Sequence, residues 1–159
     1  MVYRLLANPE YIEPLRQEVD AVVREEGWTK AGIDKMHKID SFLRETQRID
    51  NFTARSLDVF PSQVRKVDST LCFFPVAVNR CAIRPFTFSN GVTVPAGTFV
   101  SVPANATHRD ERIYSNPDEF DGFRFVKLCE SEGDTTTSRY QAVSSSTEHL
   151  PFGLGRHQW

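Results

Sequence analysis

At Ala77 the hydrophobic pattern changes period, and that change constrains the fold more than any other feature of the chain. Before it, Ile12, Leu15, Val19, Val22 and Val23 recur at helical steps, opened by Asn8-Pro9 and closed by Gly27. Pro14 must lie in the first turns of that helix or kink it. A second stripe, Met36, Ile39, Phe42, Leu43, Thr46 and Ile49, predicts a helix over Asp34 to Asp50. After Ala77 come the short β-branched and aromatic runs AVNRCAI, PFTF, VTV and TFVSVPA, broken by the turn signals SNG and PAG. These predict strands and a hairpin. Beyond His108, NPDEF and DGFRF read as loops, and Glu130 to Ser146, with eight Ser and Thr, reads as a solvated loop. The expected fold class is α+β. Two helices and a small sheet leave much apolar surface uncovered, so the chain reads as part of a larger body.

Composition excludes several alternatives. The 159 residues are 40% hydrophobic and 25% charged, which is ordinary globular usage. Nineteen Lys and Arg against 21 Asp and Glu give a net charge of -2, so no global positive field favours nucleic acid or anionic lipid. The longest apolar run, Leu71 to Val78, is interrupted by Pro75 and is far short of the roughly 20 residues of a spanning helix. The opening MVYRLLANPEY is too short and polar for a signal peptide. Cys72, Cys81 and Cys129 form no CxxC pair, which suits neither a disulfide framework nor a zinc site, and His37 and His149 have no partner at metal-ligand spacing.

The most specific motif is the closing PFGLGRHQW. For a chain of this composition, F-G-x-G-R-H arises by chance less than about once in ten thousand. Gly153 and Gly155 allow a tight turn and close backbone approach to a flat ligand, while Arg156 and His157 are placed to hydrogen-bond an anion. A glycine-rich surface turn is the plainer reading of the same residues. In the second helix, Glu45 and Arg48 stand at i, i+3, where a carboxylate and a guanidinium share a face. The spacing alone is weak, because Glu13 and Arg16 repeat it.

Around these motifs the chain resembles the cytochrome P-450 family of haem-thiolate monooxygenases, whose haem-binding loop reads F-G-x-G-x-H/R-x-C. The texture is that of the eukaryotic, fungal, membrane-bound branch, over Asn8 to Ala54 and Ala77 to His157. The resemblance implies the C-terminal portion of a mainly helical P-450 fold. It assigns Phe152, Gly153, Gly155 and His157 to the haem loop and Arg80, in AVNRCAI, to a haem propionate; an exposed strand-end arginine is the competing reading of Arg80. KIDSFLRETQR and NPDEFDGFRF match the elements that carry a structural triad, here Glu45, Arg48 and Arg124. His108, in THRDERIY, fits a family loop pattern and by itself reads as a hydrogen-bonded histidine. For the complete parent the resemblance implies haem, electrons from a flavin-containing NADPH reductase, a small apolar organic substrate hydroxylated with O2, and a place at the endoplasmic reticulum membrane. The chain itself is expected to carry no anchor.

Three departures qualify that expectation. Family members are several times longer, and the upstream proton-delivery helix is missing. Where the axial cysteine belongs stands Trp159, whose indole offers an N–H donor and no lone pair for iron. Residues 55–76, RSLDVFPSQVRKVDSTLCFFPV, read as an inserted segment within a partial domain spanning 1–159, with translation of an unspliced intron as its source. The chain is therefore expected to be inactive as a monooxygenase. The alternatives are a non-catalytic truncated product or a small α+β binding module.

Overall fold

The structure, a computed structural model, describes residues 1–50, 78–133, 140–151 and 153–155. The segment 55–76, Cys72, Phe152, His157 and Trp159 lie outside the described residues. The chain divides into two compact units: residues 1–50 with 116–144, and residues 51–115 with 145–159.

The first unit is helical. After α1 (Val2–Ala7) and a 3-10 turn (Pro9–Tyr11) come α2 (Ile12–Glu26), α3 (Lys30–Asp34), α4 (His37–Ile49) and, from the distal segment, α6 (Arg124–Glu132). The first expected helix is thus divided at its start. Pro9 lacks the N–H that a regular turn needs, and the Asn8 side chain donates back to the Arg4 carbonyl at 2.8 Å instead of capping forward. Gly27, at φ 66°, ends α2 where the periodicity places its stop. The second expected helix also begins later. Thr29 caps the short α3, accepting from Gly32 N at 3.1 Å, and α4 starts afresh at His37. No side chain of its own caps α4; the Glu18 carboxylate of α2 accepts from the first-turn amides of Lys38 at 2.8 Å and Ile39 at 3.0 Å. Those amides have no partner inside the helix, and the positive end of its dipole favours the carboxylate.

Two expectations for this unit change. DGFRF does not stay a loop, because Phe125 and Cys129 bury one face of α6, which Gly133 ends in the left-handed conformation at φ 64°. The stretch after it is not simply solvated either. Ala142 is buried, and its amide donates to Asp40 of α4 at 3.0 Å.

The second unit holds two separate two-stranded antiparallel sheets rather than one. β1 (Val78–Cys81) pairs with β4 (Phe99–Val102), Arg80 opposite Val100. Between them β2 (Phe86–Thr87) and β3 (Thr93–Val94) form the hairpin that the SNG signal predicts. Gly91, at φ 87°, supplies the left-handed residue of its turn, and Asn90 Oδ1 accepts from Val92 N at 3.1 Å. A short helix, α5 (Ala104–His108), follows β4. Among the described residues no helix is long and apolar enough to cross a membrane.

Candidate functional site

The centre of the first unit is charged. On α4, Phe42 packs edge-to-face against Tyr11 and Phe120, but the residues beside it on the buried face are Ser41, Arg44, Glu45 and Arg48. Glu45 and Arg48 are fully buried. Arg48 Nε donates to Glu45 Oε2 and its Nη2 to Oε1, both at 2.8 Å, so the guanidinium meets the carboxylate side-on with two parallel bonds. Arg124, the first residue of α6, brings its Nε to 3.1 Å from Glu45 Oε1, and the Asp121 amide donates to the same oxygen at 3.1 Å.

Two guanidinium groups on one carboxylate leave a surplus positive charge, and backbone carbonyls surround it. Arg48 donates to Pro117 O at 2.7 Å and Glu119 O at 3.3 Å; Arg124 donates to Asn116 O at 3.2 Å and Glu119 O at 2.9 Å. The NPDEF turn is wrapped around the two arginines. Its first residue, Asn116, sits at φ 46°, a left-handed conformation that asparagine tolerates better than most side chains. Every oxygen of Glu45 is engaged by buried donors, so the cluster is built to hold a turn and a helix start in place rather than to exchange protons.

Neighbouring contacts extend this hold. Ser41 Oγ donates to Gly122 O at 3.0 Å and accepts from Phe125 N at 3.2 Å. Gly122 has to be glycine: a Cβ there would stand 2.6 Å from Phe42 Cδ2 and 2.9 Å from Tyr11 Cε1. Arg44 points to the segment after α6, donating to Gln141 O at 2.6 Å and Ser144 O at 3.1 Å, with its guanidinium 4.8 Å from the Phe125 ring centre. Asp40, one turn earlier, is held above the usual carboxylate pKa chiefly by burial, with the Ala142 amide and Arg44 pulling it back down. Sequence reasoning passed over Asp40, Ser41 and Arg44. The i, i+4 spacing of Asp40 and Arg44 and the interruption of the apolar stripe by SFLRET were the available signals.

The other expected site residues fall in the second unit. Arg80 is exposed on β1. Gly153 is buried, and Gly153 and Gly155 have φ of 83° and 84°, so both require glycine for their backbone. At Gly155 an added Cβ would meet nothing within 4 Å among the described residues. His108 and His149 are fully buried and stacked, ring centres 5.2 Å apart, and Leu150 N donates to His108 Nε2 at 2.9 Å. His108 therefore ends a helix and accepts a proton-bearing amide just ahead of the glycine turn.

An open, glycine-lined turn suits a planar ligand such as haem, but the donor set does not suit its iron. In the sequence, Trp159 stands where the resemblance expects the axial cysteine, and an indole has no lone pair to offer iron. Cys129 is buried in α6 of the other unit and Cys81 is exposed on β1. Among the described residues no three His, Cys, Asp or Glu side chains gather where they could hold a metal ion. Among the described residues, no cysteine lies in the glycine turn where it could ligate haem iron.

A helix whose buried glutamate and arginine gather a distant turn, combined with a small sheet and a glycine loop, defines a scaffold class that comparison with known proteins identifies. The Cytochrome P-450 family model matches residues 70–158. The chain is 38% identical over 98% of its length to cytochrome P-450 monooxygenase 151 of Postia placenta, covering 27% of that protein. It is 41% identical over 98% of its length to cytochrome P-450 monooxygenase janQ of Penicillium janthinellum, again covering 27%. It is 36% identical to cytochrome P-450 monooxygenase paxQ of Penicillium paxilli, covering 26%. The chain belongs to the cytochrome P-450 family, with fungal relatives, and spans about a quarter of the length of those it matches.

Proposed function

We propose that this chain is the C-terminal portion of a haem-thiolate monooxygenase, and that in its present sequence it is a structural remnant rather than a working enzyme. The complete parent would insert one oxygen atom from O2 into an apolar organic substrate. Electrons would come from NADPH through a flavin-containing reductase, at the endoplasmic reticulum membrane. The observation that carries the reading is the buried convergence of Glu45, Arg48 and Arg124 within a chain of this family. We assign these three residues to the family's structural triad, where they fix the turn that precedes the haem loop.

Haem, when bound by a complete member, supplies the oxygen-activating chemistry. In this chain Phe152, Gly153 and Gly155 would offer shape to the macrocycle, and Arg80 and His157 would offer charge to its propionates. None of them replaces the missing thiolate. The inserted reading of residues 55–76 and the tryptophan at 159 share one explanation, an error of splicing or gene structure.

The test is spectroscopic and genetic. Reconstituted with haem, reduced and exposed to carbon monoxide, the chain should not give the red-shifted Soret band of thiolate ligation; that band would overturn the reading and make one of Cys72, Cys81 or Cys129 the ligand. Transcripts lacking codons 55–76 and encoding cysteine at 159 are expected alongside; transcripts that keep both features throughout would reject the gene-structure explanation alone.

A further inference from the structure

The tip of the β2–β3 hairpin sets a side-chain carboxamide beside a glycine nitrogen. Phe88 N donates to Val92 O and Gly91 N to Phe88 O, both at 2.9 Å, so Ser89, Asn90 and Gly91 form a three-residue loop with the glycine left-handed at φ 87°. Asn90 and Gly91 are both exposed. Gly91 has no side chain to shield its nitrogen, and a Cβ added there would meet nothing within 4 Å among the described residues. Val92 N donates to Asn90 Oδ1 at 3.1 Å, and that oxygen is the one that gains negative charge when a nucleophile adds to Asn90 Cγ. Only two residue pairs, Phe86 with Val94 and Thr87 with Thr93, register the strands, so the bond that engages Gly91 N opens readily.

The other asparagines lack this combination. Asn8 and Asn116 precede proline, whose nitrogen carries no proton to lose. Asn105 Oδ1 accepts from Arg109 Nε at 3.1 Å, and the amide that follows, Ala106 N, donates to Pro103 O at 2.9 Å in the first turn of α5. Asn79 lies in β1 opposite Ser101 and is followed by arginine; Asn51 lies outside the described residues. The pair Asp121-Gly122 has the same local bond, from Phe123 N to Asp121 Oδ1 at 3.1 Å. There, however, the glycine is buried against Phe42 and Tyr11, and its nitrogen donates to the Tyr11 hydroxyl at 3.2 Å.

We propose that Asn90-Gly91 is a self-modifying site, where the folded chain converts its own asparagine to aspartate and isoaspartate without an enzyme. Gly91 N gives up its proton and bonds to Asn90 Cγ; the Cγ–Nδ2 bond breaks and ammonia departs, leaving a cyclic imide. Water then opens the ring. Attack at Cγ gives aspartate, and attack at the main-chain carbonyl carbon gives isoaspartate, in which the chain runs through the former side chain. One water is consumed and one ammonia released, with no change of oxidation state. From Ser69 to Arg109 the sequence contains Arg80, Arg84 and Arg109 and no Asp or Glu, so either product places a carboxylate in a stretch that otherwise has none. Isoaspartate also lengthens the loop's main chain by a methylene, which the short register of β2 and β3 cannot absorb unchanged. The inference stands apart from the oxygenase reading, because it uses only the turn and its amides.

Incubation of the 159-residue chain in neutral and in mildly alkaline buffer, followed by peptide mapping with mass spectrometry, tests it; the free peptide FTFSNGVTV serves as a clock. The fragment carrying residue 90 should gain the mass of an NH2 exchanged for OH, faster at the higher pH. Isoaspartate is separated from aspartate by labelling with an isoaspartate-specific carboxyl methyltransferase. Gly91→Ala sets a methyl beside the attacking nitrogen and should slow conversion by at least about tenfold. Asn90→Asp, which is the aspartate product, should keep hydrogen-exchange protection at the Phe88 amide, whereas chain enriched in isoaspartate should lose it. Residue 90 remaining asparagine while the free peptide converts would overturn the proposal, as would conversion confined to chain unfolded in urea. A rate in Gly91→Ala equal to that of the unsubstituted chain, or isoaspartate forming at residue 121 as fast as at residue 90, would overturn it equally.

Discussion

Replacing Glu45 with glutamine should cost far more than the loss of one ion pair on a surface. The carboxylate receives two bonds from Arg48 at 2.8 Å, one from Arg124 at 3.1 Å and one from the Asp121 amide at 3.1 Å, all in a fully buried setting. Glutamine keeps the volume and one oxygen. Its amide nitrogen, however, presents N–H groups to a guanidinium that has only N–H groups to offer, and two buried cations lose their counter-charge. Breaking a buried pair from one side costs about 3–5 kcal/mol, most of it the penalty of the stranded partner. The carbonyls of Asn116, Pro117 and Glu119 remain as acceptors, which argues for the lower half of that range. At roughly 2–4 °C per kcal/mol for a chain of this size, about 3–4 kcal/mol should lower the thermal melting followed by circular dichroism by about 6–16 °C. Lys127→Ala, which removes an exposed partner of Asp121, serves as the control and should shift stability by less than about 1 kcal/mol. If Glu45→Gln melts within the range of that control, the buried cluster is not holding the unit together and the reasoning fails.

Gly122→Ala should destabilise by about 1–3 kcal/mol, since its methyl would press on Phe42 and Tyr11; a urea midpoint equal to that of the unsubstituted chain would contradict the packing described. Arg44→Met keeps the length but removes the bonds to Gln141 and Ser144, and should speed hydrogen exchange at the Ala142 amide by a larger factor than at α2 amides. Asp40 gives a pH signature: its pKa is raised in the folded chain, so it favours folding below the carboxylate's unfolded value, and that contribution is lost as pH rises through the folded one. Asp40→Asn retains an acceptor for Ala142 N and should flatten the decline in stability from about pH 4 upward; an unchanged pH profile in denaturant titrations would remove Asp40 as its source.

How much of this was legible depended on distance along the chain. Local features read well: the stop at Gly27, the hairpin around Asn90-Gly91 and the shared face of Glu45 and Arg48 follow from turn chemistry and helical period. What failed was local too where two signals competed. Pro9 turns the start of the first pattern into a 3-10 turn, the second pattern becomes helical only from His37, after the separate short helix that Thr29 caps, and Asp121-Gly122 masks the helix beginning at Arg124. The gathering of Arg124 onto Glu45 was beyond periodicity altogether, because 79 residues separate them; only the resemblance in NPDEFDGFRF pointed there. Arg44 and Asp40 stayed hidden because a charged residue on a helix is ordinarily solvated, and their partners are backbone groups nearly 100 residues downstream, which leave no mark in composition.

The polar face of α4 also sets an order of events during synthesis. Its partners arrive late: Gly122 for Ser41, Arg124 for Glu45, Gln141 for Arg44 and Ala142 for Asp40, at separations of 81, 79, 97 and 102 residues. At ribosomal rates of roughly 5–20 residues per second, α4 waits about 5–20 seconds after its own completion before the last of them exists. Throughout that interval its arginines and carboxylates are hydrated, which keeps the nascent helix soluble where an apolar face of equal size would seek any neighbour. The burial of charge therefore has a kinetic side: the unit closes only when the directional partners are present, and a chain stopped short of residue 124 would hold α4 against α2 and Tyr11 alone, with Glu45 and Arg48 lacking their third partner.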